Sequence, residues 1–360
     1  MFLEVEWCCR NRACFDALIR AGGMARWPGQ VGIMMPWRLV EIGQRLMRAV
    51  VRRLPSPVAE LLRTALPAPA ATPLGRLRRA LLTALRHGGI PPAVRTFQLV
   101  DNPTVSFTAA DSLVLSQLYW FGEQGWEPEL LPWWRYFCRR SSAILELGTN
   151  VGYFVVQGMR AAPGVHYTAV EPHPTSVSLC RANLGLNAVT SVTLVAGAAV
   201  AGPATGTARL LIPWDQLQAP TVAFLAGDSE LPAPMAGPVR AAIEVPTVDV
   251  RTLLAGVDLL KIDVEGQEYA LLAAAEEHLR AYRPTVVIEV LPGTAQLRRL
   301  LTALCHEFGY RCYVPQPGRL VRLEPGRLSG VALLSEYGVQ DLILCADPLL
   351  PLSVAELDTG

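Results

Sequence analysis

Lysine is almost absent from this 360-residue chain: Lys261 is the only one, and the other 31 basic residues are arginine. Rich in alanine and proline as well, the chain has the composition of a GC-rich coding sequence, where lysine codons are scarce. A lone lysine is then either chance or a place where arginine cannot serve. An ammonium is compact and its charge responds to burial, whereas a guanidinium is a wide fork that stays charged. Paired cysteines are also missing. The eight cysteines form no C-x-x-C pair, which argues against a zinc site and leaves them as small buried hydrophobes. No stretch approaches the ~18 apolar residues of a membrane span. The first residues are acidic and lack an apolar run, unlike a signal peptide. A cytoplasmic, reducing setting without disulfides is the expectation.

The charge that is present is unevenly placed. The whole chain carries a formal net charge of only +1, yet residues 1–100 hold fifteen arginines against five acids, and residues 101–360 are net acidic. That split points to a basic arm ahead of a mildly acidic body. Residues 1–36 have little periodicity and are expected to be disordered or to precede the true start. Residues 37–100 form a basic helical segment. Leu39, Ile42, Leu46, Val50 and Leu54 recur at helical spacing among Arg45, Arg48, Arg52 and Arg53, and a similar helix is expected over Leu74–Arg86, after a Pro/Ala linker. Such helices pack their apolar face on protein or lie on an anionic membrane surface. Residues 101–140 read as lead-in helices with an aromatic cluster of Trp120, Phe121, Trp126, Trp133 and Trp134, which either buries a subdomain or walls a pocket.

From residue 141 the rhythm alternates between strand and helix. AILEL (143–147), HYTAV (166–170), VTLVA (192–196), VDLLKID (257–263), TVVIEV (285–290) and DLILC (341–345) are apolar runs separated mostly by helical stretches. This pattern predicts an α/β domain over 141–348, a mostly parallel sheet with helices on both faces, followed by a tail at 349–360. Between Gly197 and Val257 the rhythm breaks, and a hairpin-like insertion or a mobile segment over the site is expected there.

Two motifs suggest a ligand. In ILELGTNVGYF, Gly148, Thr149, Asn150 and Gly152 make a turn between a strand and a helix, where open α/β sheets bind ligands. The spacing is not the dinucleotide G-x-G-x-x-G, and Glu146 just before the turn would repel a pyrophosphate but suits an amino group. In TAVEPHP, Glu171 closes the next strand 23 residues after Gly148, a distance at which an acid reaches ribose hydroxyls. Pro172 and His173 follow, with His173 either at the adenine edge or on the surface. Together these residues describe a pocket for adenosine with an amino-acid tail, namely S-adenosylmethionine.

With ELGTNVG, VEPHP, CRANLGLNAVTSVTLVAGAAV, VPTVD, LLKIDVEGQEYALL, RPTVVIEV and FGY in order over about residues 110–346, the chain resembles the FkbM family of SAM-dependent methyltransferases. The resemblance implies a Rossmann-like class I methyltransferase fold with a seven-stranded sheet and its last strand antiparallel. It also implies O-methylation of a small molecule such as a sugar or polyketide. The chain departs from the family pattern at Glu146 and Thr149, where Asp and Ala are usual, and at Ala201-Gly202, where Ser-Asp is frequent.

In KIDVEG, strand alternation puts Lys261 and Asp263 on one face. Methyl transfer to a hydroxyl needs position and a base. Asp263 is the first candidate, Glu265 and Glu289 the next, and Lys261 would hold the base in place; the alternative is a structural ion pair. Glu268 reads as a helix cap. Asp263 and Glu289 offer oxygen ligands, but no cluster in the sequence demands a metal. The rival readings are a nucleotide-dependent oxidoreductase and a non-catalytic scaffold on the same fold. Nucleic acid is not an expected partner, because no aromatic-basic recognition motif or N-P-P-Y tetrapeptide occurs.

Overall fold

The computed structural model describes residues 37–64, 81, 82, 85, 88–204, 206–213, 218–227, 239–291, 293–330, 340–347 and 351–357. The expectations for residues 1–36, the Pro/Ala linker and most of the Leu74–Arg86 helix lie outside them. The chain divides into two compact units between Val94 and Arg95.

In the first unit, α1 (Trp37–Arg53) matches the periodicity of the sequence. A second helix, α2 (Ser56–Thr64), follows after a break at Leu54-Pro55. Pro57 falls in its first turn, where the missing N–H costs nothing.

The second unit begins with a hairpin of β1 (Thr96–Gln98) and β2 (Ser106–Thr108), then α3 (Leu113–Phe121) and α4 (Leu131–Arg140). The Ser112 side chain caps α3 by accepting the Leu115 N–H. Trp120, Trp133 and Trp134 are fully buried, and Trp134 Nε1 donates to the Phe154 carbonyl at 2.9 Å. These tryptophans therefore bury the lead-in helices against the sheet domain.

The main sheet is built from β3 (Ala143–Leu147), β4 (His166–Glu171) and β5 (Val192–Ala196), with α5 (Tyr153–Ala161) and α6 (Pro174–Leu186) between them. A smaller sheet interrupts it: β6 (Ala198–Val200), β7 (Thr207–Ile212), β8 (Phe224–Leu225) and β9 (Ala241–Asp249), in the order β6-β9-β7-β8. Within the smaller sheet β7 and β9 pair antiparallel, in keeping with the hairpin-like insertion expected there. The main sheet resumes with β10 (Leu259–Ile262), α7 (Glu268–Ala274), α8 (Glu276–Tyr282), β11 (Thr285–Val290), α9 (Ala295–Glu307), β12 (Arg311–Gln316), β13 (Arg319–Leu323) and β14 (Gln340–Cys345), before a last short helix, α10 (Val354–Leu357).

The sheet order is β13-β12-β14-β11-β10-β3-β4-β5. The pairings β5-β4, β4-β3, β3-β10 and β10-β11 are parallel, and β14 runs against both β11 and β12. This is the expected Rossmann-like class I arrangement with its last strand reversed, but it holds eight strands rather than seven. The extra one is β13. Pro317-Gly318, with Gly318 at φ 74°, turns the chain straight back so that β13 pairs antiparallel with β12. Every residue of β10 is buried, as befits a central parallel strand covered on both faces.

Candidate functional site

Parallel pairing brings the carboxyl ends of β3, β4, β10 and β11 to one edge of the sheet. The order reverses between β3 and β10, and that switch point is where open α/β sheets hold ligands. The turn after β3 is anchored there. The N–H groups of Gly148 and Thr149 both donate to the Val170 carbonyl, at 3.0 and 3.1 Å. Gly148 has φ 85°, and a Cβ on it would stand 1.6 Å from the Asp263 carbonyl oxygen. Only glycine lets the two loops meet this closely. Asn150 is also left-handed, at φ 49°. Its Nδ2 donates to the Pro220 carbonyl of the insertion at 3.0 Å, and its Oδ1 is buried without a donor. The insertion thus reaches the glycine turn.

Glu171 ends β4 and is buried. Its two carboxylate oxygens accept the Asn150 and His173 backbone N–H groups, each at 2.8 Å. One side chain therefore clasps both the glycine turn and the turn after β4. Burial pushes its carboxyl up to about 7, against the pull of the two N–H donors. Pro172 is half-buried. His173 is the N-cap of α6, where Nδ1 accepts the Ser176 N–H at 3.4 Å, and burial lowers its pKa. His173 thus has a capping role beside the clasp, which neither of its sequence readings named.

Glu146 is buried one layer below the turn. It accepts a short hydrogen bond from Tyr167 Oη and lies directly across from Lys261 in the β3-β10 register. Burial raises its carboxyl to about 7, while Lys261 and the Tyr167 hydroxyl oppose the rise. Thr149 is buried above it.

Lys261 is 1% exposed. Its Nζ donates to Asp263 Oδ2 at 2.6 Å and sits 4.9 Å from the Phe154 ring centroid. Burial alone would lower the pKa of this ammonium. The carboxylates of Asp263, Glu127, Glu146 and Asp341 outweigh burial and hold its pKa well above the usual lysine value. The expected Lys261–Asp263 pairing is therefore present, inside a wider ring of acids.

Asp263 leads into a tight turn. Glu265 is left-handed at φ 58° and Gly266 has φ 105°. Buried Glu268 accepts the backbone N–H groups of Val264 and Gly266, at 3.0–3.1 Å. It clasps this turn as Glu171 clasps the first one, from the first residue of α7, where the sequence reading placed a helix cap. Glu289, near the end of β11, stands across from Asp341 on β14, and its Oε2 is buried without a donor. Asp263, Glu265 and Glu289 each bring an oxygen within 4.8 Å of the others, so these three are the residues that could hold an oxygen-seeking cation. Burial, then the neighbouring carboxylates, push the carboxyls of Glu265 and Glu289 well above their usual range.

Sequence reasoning missed three participants. Glu127 precedes α4, is left-handed at φ 42°, and has a buried Oε2 without a donor. Asp341 belongs to an apolar run that reads only as a strand. Asn183 on α6 links the β1-β2 hairpin to the glycine turn, accepting the Thr108 N–H and donating to the Val151 carbonyl, both at 2.8 Å. No local pattern marks any of them.

Residues 146–312 match the family described as Methyltransferase FkbM domain. No curated protein matches the chain. Among solved structures it is similar to cofactor-bound Rv0187 from MTB, at 16% identity and TM-score 0.35, covering 60% of this chain and 78% of that one. It is similar to the methyltransferase FkbM from Methylobacillus flagellatus KT, at 14% identity and TM-score 0.34, covering 64% of this chain and 54% of that one. A third is the O-methyltransferase from Bacillus cereus in complex with SAH, at 12% identity and TM-score 0.34, covering 61% and 80%.

Proposed function

We propose that the protein, whose residues 146–312 match the Methyltransferase FkbM domain family, methylates a hydroxyl of a small molecule, such as a sugar or polyketide, with S-adenosylmethionine as donor. The observation that carries this reading is Glu171: a buried carboxylate at the end of β4, fastened to the glycine turn at the topological switch point. The pocket suits the donor on other grounds too. Asn150 Oδ1 is a buried acceptor still lacking a donor, and the acids Glu146 and Glu171 favour a cationic ligand over a pyrophosphate. Glu171 would hold the ribose hydroxyls, the turn from Gly148 to Gly152 would lie along the nucleoside, and Glu146 would set the local charge for the amino-acid tail. When bound, S-adenosylmethionine supplies a sulfonium methyl open to in-line attack.

The work of the protein is to place the acceptor and take its proton. Asp263 is the base in this reading. It is the carboxylate paired with Lys261, whereas Glu265 and Glu289 are pushed toward their protonated forms. Lys261 is a positioning residue that fixes the Asp263 carboxylate from the buried side. Lysine fits where arginine would not, because the buried ammonium sits between the Phe154 ring and Asp263 with 1% exposure, and a guanidinium is a wider fork.

Calorimetric titration with S-adenosylmethionine, S-adenosylhomocysteine and NAD tests the reading. Binding of the first two, with no response to NAD, is expected. Tight NAD binding without response to S-adenosylmethionine would replace it with the oxidoreductase reading. Donor binding without methyl transfer to any hydroxylated extract would leave a scaffold.

A further inference from the structure

Glu146 differs from the other buried glutamates at the turns in what holds it. Glu171 and Glu268 are fastened by backbone N–H groups. Glu146 takes its hydrogen bond from a side chain, the Tyr167 hydroxyl on β4, which donates to Oε2. Ala169 stands across from Glu146 in the β3-β4 register, and Tyr167 is two residues before it, on the same face. On the other side Lys261 stands across from Glu146, but its ammonium donates to Asp263 and reaches Glu146 as a charge. The Tyr167 ring is itself buried. It meets Trp134 edge-on, with ring centroids 6.5 Å apart, and a Cβ on Gly158 of α5 would stand 3.0 Å from one of its carbons. A phenylalanine would pack as well there; what the hydroxyl adds is the bond to Glu146.

We propose that Tyr167 is a positioning residue for donor binding: its hydroxyl holds the buried Glu146 carboxylate charged below the glycine turn, where that charge favours the ammonium of the amino-acid tail. The proposal rests on the S-adenosylmethionine reading of the site. A carboxylate this deep stays charged only through donors and nearby cations. Lys261 and Tyr167 favour the charged form of Glu146, and Asp263 opposes it. Glu127 and Glu171 face it as further acids. Cys138 and Cys180 also face it, as thiols that burial keeps protonated. Burial likewise keeps the Tyr167 phenol protonated, so it remains a donor through the neutral range. With its carboxyl at about 7, Glu146 changes charge near neutral pH when a donor is lost. Removing the hydroxyl raises that carboxyl further, so the loss of donor affinity is greatest at and below neutrality and shrinks as pH rises.

The test is calorimetric titration of the full-length protein with S-adenosylmethionine between about pH 6.5 and about pH 8.5. Tyr167→Phe should stay folded by far-UV circular dichroism. It should bind about tenfold more weakly than wild type near about pH 7, and come within about twofold by about pH 8.5. The amine of the ligand titrates alike against both proteins and cancels in this ratio. Wild-type affinity should fall as pH drops below about 7, and E146Q should bind weakly without that fall. E146Q/Y167F should bind no more weakly than E146Q, because the hydroxyl then has no charge to hold. Equal affinity of Y167F and wild type, a deficit that is constant across pH, or a further loss in the double variant would overturn the role of Tyr167 while leaving donor binding intact. E146Q decides however Y167F folds: the same fall in acid as wild type would overturn the proposal. A wild type that binds no S-adenosylmethionine at any of these pH values would sink the functional reading and this inference with it.

Discussion

At Lys261 an ammonium with 1% exposure balances burial against a ring of acids. Removing it leaves Asp263 and Glu146 without their counter-charge, and breaking a buried pair from one side costs about 3–5 kcal/mol. Lys261→Met should therefore lower unfolding stability by about that much in denaturant titrations near neutral pH, and by less near about pH 5, where the Glu146 carboxyl, raised to about 7, is protonated. Equal loss at both pH values would mean the methylene stem, not the charge, is what matters. Asp263→Asn removes the proposed base but keeps its shape. It also takes a partner from the buried Lys261 ammonium, so the melting temperature should fall, but the protein should stay folded by far-UV circular dichroism while methyl transfer falls by about 10²–10⁴-fold; unchanged transfer would remove Asp263 from that role. At this scale the sequence was legible where the relation is local. Strand alternation places Lys261 beside Asp263, and the run after AVE places Glu171 at a strand end. Glu127 and Asp341 come to the same ammonium from distant segments, and no periodicity encodes a meeting of that kind.

Two elements of the site are turns held by buried glutamates: Glu171 for the turn after β3 and Glu268 for the turn after β10. The turns also touch each other, since Gly148 leaves no room for a Cβ beside the Asp263 carbonyl. Gly148→Ala must push the turns apart and hold alanine in the left-handed region, a strain of about 1–3 kcal/mol. The expected result is a folded protein, judged by far-UV circular dichroism, whose S-adenosylmethionine affinity is lost in calorimetry; wild-type affinity would show that the close approach is incidental. Elements were readable wherever an apolar run or a helical period stood alone. The AILEL, HYTAV and TVVIEV runs became inner strands, because a parallel strand covered on both faces reads as a near-continuous apolar run, and VTLVA became the half-exposed edge strand β5. β13 went unread because RLVRL looks like a polar edge, although QPGR before it is a turn signal. α2 went unread because Pro55 and Pro57 resemble a linker when they in fact bracket a helix start.

Across the molecule the acids at the sheet edge act together. The carboxyls of Glu146, Glu171 and Glu268 rise from 4.5, and that of Asp341 from 3.8, to about 7, with burial the first cause in each. The folded chain therefore holds more protons than the unfolded chain between about pH 4.5 and 7. Stability from these groups is fully present below that window and is lost as pH rises through it, by up to about 1.4 kcal/mol per pH unit for each group. The melting temperature without ligand should be higher near about pH 5 than near about pH 7.5; the reverse order would mean that these acids ionise normally in the fold. A cationic ligand favours the ionised acids, so S-adenosylmethionine binding near neutral pH should release protons, which titration in buffers of different ionisation enthalpy will show. The split between a basic front and an acidic body was plain in the composition. The closing of the acids around one lysine belongs to the folded sheet alone. The account rests most heavily on Glu171 as the ribose anchor, and a crystal structure with bound S-adenosylhomocysteine tests that directly. It should show a ribose hydroxyl within about 2.6–3.2 Å of the Glu171 carboxylate; a nucleoside bound away from β4, with Glu171 contacting only the Asn150 and His173 amides, would contradict it.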